Sequence, residues 1–294
     1  MDRLEAMAMF VAVVEEGSLS GAGRRLGVPL PTISRRIADL EAHLSARLLI
    51  RTTRKLTLTE AGGAYLAAAR RILDQVDEAE RSAAGEYAAP QGELIVAAPI
   101  VFGRLHVLPL VNAFLRQFPL ISVRLELSDR NSDIVGDHID VAVRIGRLPD
   151  SRFVATRVGS VRAVTCASPA YLAAHGTPAT PADLAGQDAI AFSSLGGLGG
   201  WPTADPVRTR LSVTTAEAAL DAAIAGVGVT RVLSYQAAAA VADGRLKLIL
   251  PDHDGEPLDV SLIHAGQGRI PLKTRAFLDM AAPKLRQSLA ALPR

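Results

Sequence analysis

The sequence predicts a mostly helical winged helix-turn-helix ahead of a larger α/β body in two lobes. Three observations carry this expectation. Apolar residues recur at three- and four-residue steps through the first 44 positions, cationic residues crowd the same region, and from position 93 short strand patterns alternate with helical ones. The 294 residues, 49% hydrophobic and 21% charged, suffice for two or three packed domains.

The total charge is only +2, yet Arg24, Arg25, Arg35, Arg36, Arg47, Arg51, Arg54 and Lys55 fall within 24–55 against Asp39 and Glu41, a local net of +6. Such asymmetry fits a segment facing a polyanion, and on charge alone a solvated basic face explains it equally well. Apolar spacing separates the two. The first helix is expected at 3–16, with Leu4, Met7, Val11 and Val14 at helical intervals and Gly17 closing it. Ser18 can cap a short second helix that reaches Leu26, and Gly27 supplies the turn. A third helix follows Pro31, placing Ile33, Ile37, Leu40 and Leu44 on one face and Thr32, Arg35, Arg36, Asp39 and His43 mostly on the other. Two short helices joined at a glycine, the second basic on its outer face, make a helix-turn-helix.

Residues 48–59 then read as a β-hairpin wing with the polar, basic tip Thr52-Thr53-Arg54-Lys55. Thr59 is placed to cap a long helix at 60–86, whose stripe of Ala61, Tyr65, Ala68, Ile72, Val76, Ala79 and Ala83 is mostly small. The stripe suits pairing with a second copy and places the helix outside the core of the three-helix head; the plainer alternative is an amphipathic helix lying on its own domain. After the break at 87–92, strands are expected at 93–98, 121–128, 140–145, 161–167, 189–193, 207–213, 228–233, 246–250 and 258–265. Helices are expected at 103–118, 216–225, 234–242 and 272–292. About 200 residues exceed one compact lobe, so two α/β lobes with a cleft between them are preferred.

Chemistry is excluded more readily than it is found. The single cysteine, Cys166, forbids an intrachain disulfide and a tetrathiolate zinc site, and its apolar strand suits a buried residue better than a nucleophile. The six histidines have no metal-ligand spacing, no phosphate-binding or nucleophile-elbow motif occurs, and Gly226-Val227-Gly228 lacks the third glycine of a dinucleotide fingerprint. No catalytic residue, metal ligand or cofactor is therefore expected. The opening residues mix charges without the apolar core of a signal peptide, and the longest apolar run, 94–102, contains Pro99, so a cytoplasmic protein without a membrane partner is expected.

The runs FVAVVEEGSLS at 10–20, RLGV at 25–28, PTISRRI at 31–37 and LLIRTTRKLTLTEAG at 48–62 closely resemble the amino-terminal domain of LysR-type transcriptional regulators. Looser similarity continues through FGR at 102–104, LRQFP at 115–119, GDHIDVAVRIG at 136–146, CASPAYL at 166–172, GVGV at 226–229 and DGRL at 243–246. The resemblance implies a winged helix-turn-helix at 1–59, a dimerising linker helix at 60–87, and an effector domain at 88–294 like the type II periplasmic binding proteins. Its first lobe would hold 92–159 and 266–294, and its second 160–265, with two crossing strands between. Duplex DNA at a promoter or operator, a small-molecule effector and further copies of the chain are the implied partners, as a dimer and a tetramer of paired dimers, with RNA polymerase a further one.

Recognition would fall to Leu30, Pro31, Thr32, Ser34, Arg35 and Arg36, which start the third helix, with Ser18 nearby and with Arg51, Thr52, Thr53, Arg54 and Lys55 holding the wing to phosphates. Relatives usually carry Ser-Gln where this chain has Pro29-Leu30, which removes a helix cap and a side chain suited to adenine, and an apolar contact from Leu30 to a thymine methyl is expected instead. The resemblance gathers Pro99, Ile100, Val101, Phe102, Ser128, Arg144, Ser193, Val227 and Gly228 around the effector, with free N–H groups at 99–102 suited to an anion. Relatives place a hydroxyl where Ile100 or Val101 stands, so a less polar cleft is expected; Arg144 has the alternative of pairing with a carboxylate inside its lobe. A solute-binding protein or an α/β enzyme would use a similar cleft, and the basic head and missing export signal weigh against the first.

Overall fold

The computed structural model describes residues 2–51, 56–83, 89–129, 139–148, 153–192, 200–265 and 270–292, in two compact units, Met1–Ala89 and Pro90–Arg294. In the first unit Asp2 caps α1 (Arg3–Glu15), its Oδ1 accepting from Leu4 N at 2.9 Å and Glu5 N at 3.3 Å. Ser18 Oγ accepts from Gly21 N at 3.0 Å and starts α2 (Leu19–Leu26), which stops at Gly27 with φ +67°. Helix α3 (Leu30–Leu44) begins after Pro29 with no side-chain cap, the physical consequence of proline standing where a hydroxyl would serve. Strands β1 (Leu49–Arg51) and β2 (Leu56–Leu58) pair antiparallel as the wing, and Thr59 Oγ1 accepts from Gly62 N at 2.9 Å to start α4 (Glu60–Ala83).

The head packs around Ala6, Met9, Phe10, Val13, Ala22, Ile33, Ile37 and Leu40. The α3 stripe thus lies where its spacing places it, but α1 turns a different face inward: Leu4 is exposed and Met9, Phe10 and Val13 are buried. An apolar residue stands on nearly every side of α1, so spacing alone could not choose among faces. The long helix is also corrected. Its first half belongs to the head core, with Tyr65 5.6 Å from Phe10 edge to face, Leu66 on the same cluster and Ala69 fully buried. Gly62 is needed for this approach, because a Cβ there would meet the Leu48 carbonyl oxygen at 2.0 Å.

The second unit contains two five-stranded sheets. The first has the order β4 (Ile121–Leu127), β3 (Gly92–Ala98), β5 (Val141–Ile145), β12 (Leu258–Ala265) and β6 (Phe153–Val161). The second has the order β11 (Lys247–Ile249), β7 (Ala163–Ala167), β10 (Val229–Leu233), β8 (Asp188–Phe192) and β9 (Arg208–Val213). Strand β12 hydrogen-bonds to β5 and β6, so residues 258–265 join the first lobe rather than the second, to which the sequence boundary had assigned them. Strand β6 replaces the start of the single strand expected at 161–167; its exposed Val154, Ala155 and Arg157 break the apolar run that marks a strand. Helix α7 (Pro169–His175), capped by Ser168, and the 3₁₀ turn Pro181–Gly186 were not anticipated.

Helices α5 (Ile100–Phe102) and α6 (Leu108–Gln117) are joined by a π-helical turn, Gly103–Val107, three residues earlier than the expected start. Helices α8 (Ala216–Ile224), α9 (Ser234–Ala242) and α10 (Leu272–Ala290) complete the body. Among the described residues no helix is long and apolar enough to cross a membrane, and no group of three or more His, Cys, Asp and Glu is placed to hold a metal ion.

Candidate nucleic-acid interface and effector cleft

The start of α3 projects what the sequence leads one to expect. Leu30 is 47% exposed, Pro31, Thr32 and Arg35 are exposed, Ser34 and Arg36 are half-buried, and Ile33 and Ile37 point into the core. Arg35 has no carboxylate within ion-pair distance among the described residues, whereas Arg36 is tied to Glu5 at 3.2 Å. The same division separates other arginines. Arg24 and Arg47 are exposed and without such a partner among the described residues, while Arg25 and Arg70 both close on Glu15, at 2.7 and 3.0 Å. Burial pushes the Glu15 carboxyl up, but its hydrogen bonds to those two guanidinium groups outweigh this and leave it below the ordinary carboxylate range. The eight-residue basic cluster is therefore divided: Arg25 and Arg36 brace α2 and α3 against α1, while Arg24, Arg35 and Arg47 have no carboxylate within ion-pair distance among the described residues.

Ser18 serves as the α2 cap described above. Arg51 lies in β1 opposite Leu56, and Thr52, Thr53, Arg54 and Lys55 lie outside the described residues. One position escaped the sequence reading. Glu41 Oε1 accepts from Leu48 N at 2.7 Å and Leu49 N at 3.0 Å, which fastens the C-terminal part of α3 to the first wing strand. An acidic residue on a basic helix was the available signal.

In the body, one hydrophobic cluster combines residues of both lobes. Val96, Phe102, Val141 and Phe277 from the first meet Ala216 and Tyr235 from the second, with Phe192 and Leu233 packed against them. Strands β8 and β10 run parallel, so their C-terminal ends, together with the first residues of α8 and α9, form the edge that faces the first lobe. Phe102 lies 5.3 Å from Tyr235 edge to face, His106 lies 5.7 Å from the same ring, and Arg104 reaches Glu217 at 3.8 Å. Gln236 steadies the corner, accepting from Leu233 N at 2.8 Å and donating to the Tyr235 hydroxyl at 3.4 Å. Burial pushes the Tyr235 phenol well above its ordinary range, and the charges of Asp129 and Glu217 add to the effect.

This geometry corrects several cleft assignments. Val101 and Phe102 are core residues, 3% and 0% exposed, and only Pro99 and Ile100 are partly open. At the helix start the N–H of Ile100 is already engaged, donating to Asp129 Oδ1 at 3.0 Å. Val227 and Gly228 precede β10 at the end remote from the first lobe, where a Cβ on Gly228 would strike the Asp188 carbonyl oxygen at 2.1 Å. Close packing of β10 on β8 accounts for that glycine. Ser128 follows β4 and donates its N–H to Ala98 O at 3.0 Å; Arg144 is half-buried on β5 opposite Ser261; Ser193 lies outside the described residues. Positions that sequence reasoning missed at this junction are His106, Glu217 and Tyr235. Cys166 is deeply buried on β7, with burial pushing its thiol to about 12 and so away from nucleophilic chemistry.

Comparison with known proteins agrees with this architecture. Residues 4–63 match the family described as "Bacterial regulatory helix-turn-helix protein, lysR family", and residues 88–286 match "LysR substrate binding domain". A transcriptional regulator of Xanthomonas campestris is 34% identical over 288 residues, covering 94% of this chain and 84% of that protein. The solved structure of CrgA, a LysR-type regulator from Neisseria meningitidis, is 30% identical with a TM-score of 0.61 over 96% of this chain and 98% of CrgA. ArgP of Mycobacterium tuberculosis, 21% identical, shares the fold with a TM-score of 0.65 over 98% of each chain.

Proposed function

The chain belongs to the LysR family and is a DNA-binding transcriptional regulator, and from that premise we propose how its parts divide the work. The α3 start reads the major groove, with Arg35 and Thr32 offering donors to base edges or phosphates and Leu30 an apolar surface to a thymine methyl. The basic wing, Arg51 to Lys55, lies along the backbone. A small molecule binds at the junction of the two lobes, near Pro99, Ile100, Ser128, Asp129 and Tyr235, and shifts the balance between arrangements of the subunits on DNA. A differential affinity of ~1 to 3 kcal/mol is enough for such a switch.

Supporting the first part is one observation above the rest: on α3 the apolar face is buried while Leu30, Thr32 and Arg35 are exposed together and Arg35 has no internal ion-pair partner among the described residues. The lobe junction supports the second part less directly. Asp129 already accepts from the N–H of Ile100, and its negative charge beside that turn favours an effector that is neutral or carries a donor toward Asp129.

Self-association is assigned to two surfaces. The Ala61, Ile72 and Ala79 side of α4 stays exposed while its Gly62 and Ala69 side packs on the head, which suits pairing of two long helices. On the body, Leu105, Leu108 and Leu115 are 41%, 39% and 36% exposed, next to β4, an edge strand among the described residues, and suit a second contact that would build a tetramer.

Selection of genomic fragments by the purified full-length protein tests the reading. A recurring sequence with two related half-sites is the expected product. Uniform recovery of all fragments, undiminished by bulk competitor, would refute it.

A further inference from the structure

One carboxylate in the head joins three helices. Glu15 is the last residue of α1; its Oε2 accepts from Arg25 Nη1 of α2 at 2.7 Å, and its Oε1 accepts from Arg70 Nη2 of α4 at 3.0 Å. Arg25 also lies 3.6 Å from Glu16, the next residue. Helix α2 comes close at this corner, since a Cβ on Gly21 would sit 2.9 Å from Glu16 Cβ. The helix that leads through the Gly27 turn into α3 and the long helix α4 thus share one anionic anchor.

Its place along α4 gives this anchor leverage. Tyr65 and Leu66 pack on the head core, Ala69 is the last fully buried residue of α4 among the described residues, and Arg70 follows it directly. An alanine offers little surface to resist a change of tilt, whereas a carboxylate bonded through both oxygens to two guanidinium groups is directional. Ala83 lies 13 residues beyond Arg70, about 20 Å of helix. A tilt of about 10° at Arg70 therefore displaces the far end of α4 by about 3 to 4 Å, close to the ~3.4 Å step between base pairs.

We propose that Glu15 is a positioning residue for DNA recognition: by holding Arg25 and Arg70 together it fixes the direction in which α4 leaves the helix-turn-helix, and so the half-site spacing that two paired heads accept. This rests on the pairing of α4 put forward above and adds what sets its geometry. Glu15 acts through the two arginines and touches no DNA. Its ion pairs are half-exposed and contribute little to folding, so the effect falls on spacing preference rather than on the affinity of one head.

The test uses the full-length protein and three DNA duplexes: the operator recovered by genomic selection, the same operator with its half-sites one base pair further apart, and a single half-site. Wild type is expected to prefer the recovered spacing. Glu15→Gln and Arg70→Gln should each reduce that preference about 2- to 5-fold, their combination should reduce it no further, and affinity for the single half-site should not fall. Glu60→Gln makes the same charge change at an exposed position of α4 without an ion pair among the described residues, and should leave the preference as in wild type. The proposal is overturned if the Glu15 and Arg70 variants keep the wild-type preference, if their effects add, if Glu60→Gln has the same effect, or if all three duplexes lose affinity alike. Wild type that binds the single half-site as tightly as the operator would refute the pairing itself, and the proposal with it, before any variant is compared.

Discussion

Arg35 and Arg36 are adjacent on one helix and identical in type, yet the structure gives them different roles. Arg36 is held by Glu5 at 3.2 Å, and Arg35 has no such tie among the described residues. Arg35→Ala should therefore weaken operator binding by about 1 to 3 kcal/mol, the value of a good arginine contact to a base, with Arg36→Ala costing clearly less. Equal losses in a gel-shift titration would contradict this division. Leu30 stands 47% exposed at the same helix start, and Leu30→Gln should move the preferred base in a selection experiment rather than simply reduce affinity. Glu41 makes the opposite kind of contribution. Its carboxylate receives the N–H groups of Leu48 and Leu49, and Glu41→Ala should lower the stability of the head by about 1.5 to 3 kcal/mol, measured by denaturant unfolding. The exposed residue types of α3 were legible from sequence, but which arginines were already engaged was not, because Glu5 and Glu15 reach them only through the packing of α1.

At the scale of elements, the expected strands recur within a residue or two in β3, β10 and β12. Failures have physical causes. Helix α1 is apolar almost all round, β6 is an edge strand of the first sheet with much of its surface exposed, and α7 is only seven residues long. Most of the lobe junction was illegible for a related reason: Phe102 and His106 are more than 100 residues from Tyr235 and meet it only through the packing of the two lobes. His106 gives this junction a pH signature. Its Nδ1 shares a hydrogen bond with Ser288 Oγ at 2.9 Å, its Nε2 has no partner among the described residues, and burial lowers its pKa below the ordinary histidine value. The native state thus keeps the ring neutral where the unfolded chain would protonate it. Stability contributed in this way is complete above about pH 6.5 and declines as pH falls toward the native pKa. His106→Gln should flatten that part of the unfolding curve of the body; an unchanged slope between about pH 5 and 7 would exclude His106 as its source.

At the scale of the whole molecule, a cationic head on a chain of net charge +2 makes affinity for DNA depend on how many heads act together. A dimer that neutralises ~4 to 8 phosphates should lose affinity with salt along a log-log slope of about −4 to −7. Each subunit contributes part of that slope, so disrupting the pairing of α4 should reduce the slope and the affinity at once. Ile72 is the suitable place to test this, since it is 37% exposed on the side of α4 that does not pack on the head. Ile72→Glu introduces a like charge facing its own copy across the helix pair. Sedimentation should then show a lighter species, and operator titrations over a range of salt should give roughly half the wild-type slope, as a single head displaces about half as many counterions. A variant that sediments lighter but retains the full slope would mean that the two heads are brought together by the body, through the Leu105, Leu108 and Leu115 surface, rather than by the long helix.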